Sequence, residues 1–243
     1  MTVPSSSASC PFCRIAAAYP PIPPSIFRPQ HKQDSAQELA IIPTDTTQET
    51  HAHLVLSTPY VLAFLDIMPL TRGHVLVVTR DHHEKLKDMD VEVSREVNTV
   101  TQIGQWLPII SRVVMRTIFG TETESDWSWN VVQNNGRLSI HFVWLEHWLM
   151  HRTGIRAAQQ VPHVHFHVIP RPPLDPAATA AKMSFVMFGR GQRDELDDDE
   201  GETLAKALRE ELAKEVRRVE EREGVDLNAA ATEVRYQRIK GKL

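Results

Sequence analysis

The sequence predicts an α+β domain, and three observations predict it. Short runs rich in Val, Leu and aromatic residues fall between residues 54 and 79, 127 and 133, and 161 and 169, and read as strands. One long segment, Asp90 to Gly120, repeats its apolar residues every three or four positions, the period of an amphipathic helix. A second segment, Glu202 to Glu223, is highly charged but carries a narrow apolar stripe. Strands accompanied by one long helix fit α+β layering.

In chain order, residues 1–9 read as a disordered N-terminus, followed by Cys10-Pro11-Phe12-Cys13. From Arg14 to Thr50, Pro20, Pro21, Pro23, Pro24 and Pro29 break regular structure, so a surface loop is expected. Leu54 to Asp66 and His74 to Thr79 form two strands of a hairpin, turned at Pro69 and Gly73. The helix from Asp90 takes its stripe from Val93, Val97, Val100, Ile103, Leu107, Ile110, Val114 and Ile118, is expected to kink at Pro108 and stops at Gly120. Trp127 to Gln133 and Val161 to Ile169 are the later strands, with Asn134-Asn135-Gly136 as turn chemistry. Between them, residues 138–155 are too apolar for a solvated loop. Beyond residue 172 come an acidic linker, the helix bearing Leu204, Leu208, Leu212, Val216 and Val219, and a tail without signal.

With 243 residues, 42% of them hydrophobic, the chain can bury a sizeable core without staples. Lys and Arg total 27 against 31 Asp and Glu, a net charge of -4 that gives no electrostatic footprint for nucleic acid or anionic membranes. Two cysteines cannot build a secreted disulfide framework, the first nine residues lack a signal-peptide pattern, and no window is apolar enough to span a bilayer. A cytoplasmic or nuclear protein is expected.

The chemistry concentrates in His163-Val164-His165-Phe166-His167-Val168-Ile169. Period-two spacing on a strand puts three imidazoles on one face and Val164, Phe166 and Val168 on the other. Such a row serves equally as a polyhistidine metal site or as a nucleophilic histidine with two helpers, because neutral imidazole does both. Cys10 and Cys13 at C-x-x-C spacing read as half of a zinc site, as a redox pair or as a bare surface pair.

These residues resemble the histidine triad (HIT) superfamily of nucleotide-binding hydrolases and transferases, whose signature alternates three histidines with apolar residues as residues 163–169 do. Further matches follow in family order: Cys10-Pro11-Phe12-Cys13, Phe64-Leu65-Asp66-Ile67-Met68-Pro69, Gly73-His74-Val75-Leu76-Val77-Val78 with His82, and Val132-Gln133-Asn134-Asn135-Gly136. The C-x-x-C and Asp-Ile-x-Pro motifs look most like the Hint branch, the adenosine phosphoramidases. The resemblance implies a HIT domain over residues 10–172 with a five-stranded antiparallel sheet, dimerised through the long helix and a strand. It makes His165 the nucleophile, oriented by a main-chain carbonyl near His163, with His167 on the phosphate and His74 in support. Asp66 would accept the ribose hydroxyls, Phe64 and Ile67 would line the base pocket, and Asn134 and Gln159 would contact phosphate or leaving group. Cys10, Cys13, His82 and His163 would hold a structural zinc. The partner implied is a purine nucleotide substrate, without membrane or nucleic acid, and the product is AMP.

Two departures stand out. Gln160 occupies a position that is Ser or Thr in the Hint branch, which bears on the leaving group. Residues 138–155 interrupt the family loop; they read as a retained intron or gene-model error, or else as a lid over the nucleotide, and residues 14–50 are a further expansion. Dinucleoside polyphosphate hydrolysis and non-catalytic nucleotide sensing are the competing functions, and the missing DNA-binding footprint disfavours removal of adenylate from DNA ends.

Overall fold

The computed structural model describes residues 9–27, 50–89, 99–122, 124–136, 159–173 and 193–228, together with the backbone of 139–145 and 148–154. Five antiparallel strands make the main sheet: β1 (Leu54–Ser57), β2 (Val61–Leu65), β3 (Val75–Thr79), β4 (Trp129–Gln133) and, after a separate hairpin of β5 (Ser139–Leu145) and β6 (Trp148–Gly154), β7 (His165–Pro170). Their spatial order is β1-β2-β3-β7-β4. Among the described residues three α-helices accompany them: α1 (Pro11–Ala18), α2 (Thr99–Phe119) and α3 (Asp198–Glu223). The α+β expectation therefore holds. No helix among the described residues is long and apolar enough to cross a membrane.

Period-two alternation sorts the sheet residues into two cores. Val61, Ala63 and Leu65 of β2, Val75 and Val77 of β3, and Val168 of β7 pack with Ile103, Trp106, Ile110, Val113 and Val114 of α2. Leu62, Phe64, Leu76 and Val78 point the other way, onto Phe12, Ile15, Ala16 and Ala18 of α1. Cross-strand register keeps this sorting in phase, with Leu62 opposite Val78 and Phe64 opposite Leu76.

Several expectations are corrected. The run from Leu54 to Asp66 is two strands, because the Thr58 hydroxyl closes a turn by accepting from Val61 N–H at 2.9 Å and donating to Val61 O. Pro59 supplies the fixed backbone for that turn. Residues 11–18, partly assigned to loop, are helical: Pro11 lies in the first turn, where its missing N–H removes no helical hydrogen bond. Tyr19 and Ile22 beyond it are buried. The helix ends where Arg80 donates to Ala16 O (2.5 Å) and Tyr19 O (3.1 Å) while also reaching Thr58 O. A cation on the last carbonyls of a helix is favourable, and this one pins α1 to the sheet. Helix α2 contains Pro108 in its interior, and the expected start at Asp90 lies outside the described residues. The last strand begins at His165 and not at Val161. Residues 1–8, most of the 14–50 expansion and the tail beyond 228 also lie outside the described residues.

The insertion at 138–155, for which no regular element was expected, contains an antiparallel hairpin whose strands pair with each other, Ser139 opposite Gly154 through Leu145 opposite Trp148. Its ends are closed by the chain that flanks it: Gln159 N–H donates to Gly136 O at 3.1 Å, and Gly136 N–H to the Gln159 side chain at 2.8 Å. An excursion with its ends tied loads little entropy on the loop it interrupts.

Helix α3 starts one turn earlier than the sequence suggests, because Asp197 accepts from Glu200 N–H at 3.0 Å and caps it. Gly224, in the left-handed region at φ 68°, ends it. Its stripe of Leu204, Leu208, Leu212, Val216 and Val219 joins the α2 core, so the C-terminal helix is part of the domain's packing. Buried Glu215 takes Arg112 Nε at 2.5 Å, Arg218 at 3.0 Å and Arg116. Burial opposes the carboxylate, but Arg112, Arg218 and Arg116 outweigh it and hold the group below the ordinary glutamate value of 4.5.

Glu215→Ala should lower the unfolding free energy by about 2 kcal/mol, since the arginines lose their buried partner. The stabilisation from a depressed carboxyl pKa is complete above the unfolded value and is lost as pH falls through the folded one. Urea titrations of both proteins should therefore differ at pH 7, and the difference should begin to shrink as pH falls below the ordinary glutamate value of 4.5 and narrow further through the lower folded value.

Candidate active site and metal centre

The alternation that fills the cores also makes the site. On β7, Phe166 and Val168 face α2, which leaves His165 and His167 on the α1 side. His163 precedes the strand, held by His163 N–H to Val161 O (2.8 Å) and Val164 N–H to His83 O (2.7 Å). The three imidazoles consequently do not share one site, as the spacing alone suggests. His163 joins the cysteines, while His165 and His167 face the residues contributed by β2, β3 and the Asn134 loop.

His163 Nε2–H donates to Thr79 O at 2.8 Å, which leaves Nδ1 as the lone-pair nitrogen. That Nδ1 lies 3.4 Å from Cys10 Sγ and 3.6 Å from Cys13 Sγ, and His82 Nδ1 lies 3.2 Å from Cys13 Sγ. All four expected ligands thus converge. Burial first, and then the neighbouring Cys10, push the Cys13 thiol up to about 12. Helix α1 delivers the cysteines, and its Phe12 ring packs edge-on to both His163 and His165, at 5.7 and 5.3 Å between centroids.

The carbonyl of His163 accepts from His165 Nδ1–H at 2.6 Å. This hydrogen bond fixes the tautomer, so Nε2 of His165 carries the free lone pair. Burial lowers the His165 pKa, outweighing that hydrogen bond, and keeps the ring neutral. A parallel chain sets His167: Leu70 N–H donates to His74 Nδ1 at 3.2 Å, and His74 Nε2–H then donates to His167 Nδ1 at 3.0 Å. His167 is left with its proton on Nε2. Burial dominates both rings, pushing His74 down to about 2 and His167 to about 4. The site therefore offers a neutral nucleophilic nitrogen beside a neutral N–H donor, with ring centroids 4.9 Å apart.

The remaining expected residues divide. The Asn134 amide stands 3.5 Å from His167 Nε2. Asp66, raised by burial against its hydrogen bond from Met68 N–H, sits 3.4 Å from His74 Nδ1. Ile67 is exposed beside it, whereas Phe64 is buried and packs edge-on to Phe12 at 5.6 Å. Gln159, expected at the phosphate, is instead buried with its amide occupied: Oε1 accepts from Gly136 N–H, and Nε2 donates to Glu84 O (2.7 Å) and His163 O (3.3 Å). It shapes the loop and the His163 carbonyl.

Arg193 escaped the sequence reading. It comes from the linker before α3; it donates to Met68 O at 3.3 Å, and Leu196 N–H to Ile67 O at 2.9 Å, so the linker runs along the Asp66 segment. Its charge is felt at Asp66, His74 and His167 alike. No motif flags an arginine in an acidic linker; only the fold brings it here.

A tautomer-fixed histidine on a sheet, flanked by a second histidine and backed by a Cys/His cluster, defines a protein of the histidine triad class. The HIT domain family model matches residues 47–174, more than half of the chain, and the chain belongs to that family. It is 32% identical over 111 residues to adenosine 5'-monophosphoramidase hnt1 of Schizosaccharomyces pombe, covering 46% of this chain and 58% of that protein. Against adenosine 5'-monophosphoramidase HNT1 of Saccharomyces cerevisiae it is 31% identical over 117 residues, covering 48% of this chain and 52% of the relative. The chain thus spans little more than half the length of these two relatives. Among solved structures, a Zn-bound histidine triad family protein from Mycobacterium smegmatis superposes with a TM-score of 0.47 at 23% identity, covering 86% of this chain and 96% of that one. Helix α3 lies wholly outside the matched family segment.

Proposed function

We propose that the chain is a nucleotide hydrolase that releases AMP from adenylated small molecules, in the first place nucleoside phosphoramidates, through a nucleotidyl-histidine intermediate on His165. The observation that carries this reading is the hydrogen bond from His165 Nδ1 to the His163 carbonyl, which leaves Nε2 free to attack. Nε2 bonds to the α-phosphorus as the phosphorus–nitrogen bond of the substrate breaks, and the departing amine takes its proton from solvent, which recovers one when water attacks in the second step. Water then attacks the same phosphorus, the phosphorus–His165 bond breaks, and AMP leaves. His167 Nε2–H and the Asn134 amide donate to the phosphate oxygens as charge develops, a role that suits a neutral donor held in place by His74. Asp66 accepts from the ribose hydroxyls, Ile67 offers apolar surface to the base, and Arg193 adds a cation beside the phosphate subsite. The yeast relatives named as adenosine monophosphoramidases favour adenosine as the nucleoside.

Cys10, Cys13, His82 and His163 fit a structural zinc. Bonds of about 2.3 Å to sulfur and 2.05 Å to nitrogen in a tetrahedron put S and N about 3.6 Å apart, close to the 3.2–3.6 Å separations found. Bound there, zinc would fix helix α1 and the ring of His163, and through its carbonyl His165; four protein ligands leave no position for substrate. Reduced cysteines suit the cytoplasm or nucleus. A homodimer accords with edge strand β4, which pairs only with β7 among the described residues and whose Trp129, Val131 and Val132 are exposed.

His165→Ala should retain nucleotide binding while kcat falls about a thousandfold or more, because the two-step route is lost. Calorimetry with AMP and a phosphoramidate assay test the two halves, and near-normal turnover would overturn the mechanism. Cys10→Ser with Cys13→Ser should remove one equivalent of zinc and lower the melting temperature; unchanged metal content would refute the site. Val131→Glu should shift the protein toward monomer in sedimentation experiments, whereas an unaltered dimer would move the interface elsewhere.

A further inference from the structure

Where β1 begins, His51 and His53 meet the first turn of α3. His53 Nε2 lies 3.4 Å from Asp198 Oδ1, and His51 Nδ1 lies 3.6 Å from the same oxygen. The two rings stand nearly perpendicular, 5.0 Å apart. These separations are long for hydrogen bonds, which cluster below about 3.2 Å. They match the edge of a tetrahedron around zinc, about 3.3 Å for nitrogen and oxygen ligands bonded at 2.0–2.1 Å. The three donor atoms lie within 4.8 Å of one another.

We propose that His51 Nδ1, His53 Nε2 and Asp198 Oδ1 form a second zinc site, with water in the fourth position, that clasps helix α3 onto the start of β1. The His53 ring is held inside the fold: it is only 4% exposed, with Nε2 facing Asp198, while its other nitrogen, Nδ1, has no hydrogen-bond partner among the described residues. Glu202 Oε2 stands 4.0 Å from that Nδ1, too far for a hydrogen bond, and Glu202 Oε1 accepts from Arg209. The helix is also shaped around the ring. A Cβ on Gly201 would come within 2.3 Å of His53 Nε2, so only glycine permits this approach in a helical turn where glycine is otherwise unfavourable. Two imidazoles and a carboxylate form a borderline donor set that suits zinc over calcium or magnesium. His51 and Asp198 are open to solvent, which leaves room for the water and makes the site separable from the buried cysteine cluster.

The test uses the full chain, dialysed and titrated with zinc alone. Two equivalents are expected in the unsubstituted protein. His51→Ala and Asp198→Asn, both at exposed positions, should each weaken binding at one equivalent by about tenfold or more, and should abolish the rise in melting temperature that this second zinc produces. The Cys10→Ser, Cys13→Ser protein should retain the His51-dependent equivalent; cobalt bound to it should lack the thiolate-to-metal absorption of the cysteine site. If the double serine protein does not fold, the loss of one of two equivalents in His51→Ala carries the same information. Zinc stoichiometry and affinity unchanged in both His51→Ala and Asp198→Asn would overturn the proposal. Loss of the cysteine-dependent equivalent alone would bear on the structural zinc and leave the clasp standing.

Discussion

The hydrogen bond from His163 Nε2–H to the Thr79 carbonyl governs the arrangement of both sites. It turns Nδ1 toward the cysteine sulfurs and locks the ring, and the carbonyl of the same residue accepts from His165. One residue thereby joins the proposed zinc cluster to the proposed nucleophile. Gln159 supports the junction by donating to that carbonyl, and Phe12 packs on both rings from helix α1. A shift of the C-x-x-C helix would therefore be transmitted to the proposed nucleophile through two independent contacts.

Neutrality is the second constraint. The rings of His74, His165 and His167 are all driven toward the uncharged form, chiefly by burial. A neutral His165 can attack, and a neutral His167 still donates. Tautomers are set by backbone groups at either end, Leu70 N–H and the His163 carbonyl, so the site is organised before any ligand arrives.

The segment beyond the family match packs onto the matched part in a specific way. Helix α3 covers α2, the element that the resemblance assigns to dimerisation, and buries Glu215 among arginines of α2. The linker before it brings Arg193 to the Asp66 segment, so a region beyond the family match contributes charge beside Asp66, His74 and His167.

The sequence by itself determined the fold class, the family and the identity of the clustered residues, because alternation, C-x-x-C spacing and the triad are local patterns that physical chemistry reads directly. It also anticipated that Val164, Phe166 and Val168 would face away from the histidines, since side chains on extended chain alternate regardless of context. Tertiary structure decided the rest. His163 leaves the shared face because its ring bonds to Thr79, distant in sequence; Gln159 turns inward because Gly136, Glu84 and His163 surround it; the run from Leu54 to Asp66 folds back at a hydroxyl-closed turn. His51, His53, Asp198 and Arg193 carry no motif, and they acquire meaning only when α3 packs against the sheet and brings charges from the far end of the chain to β1 and the loop after β2.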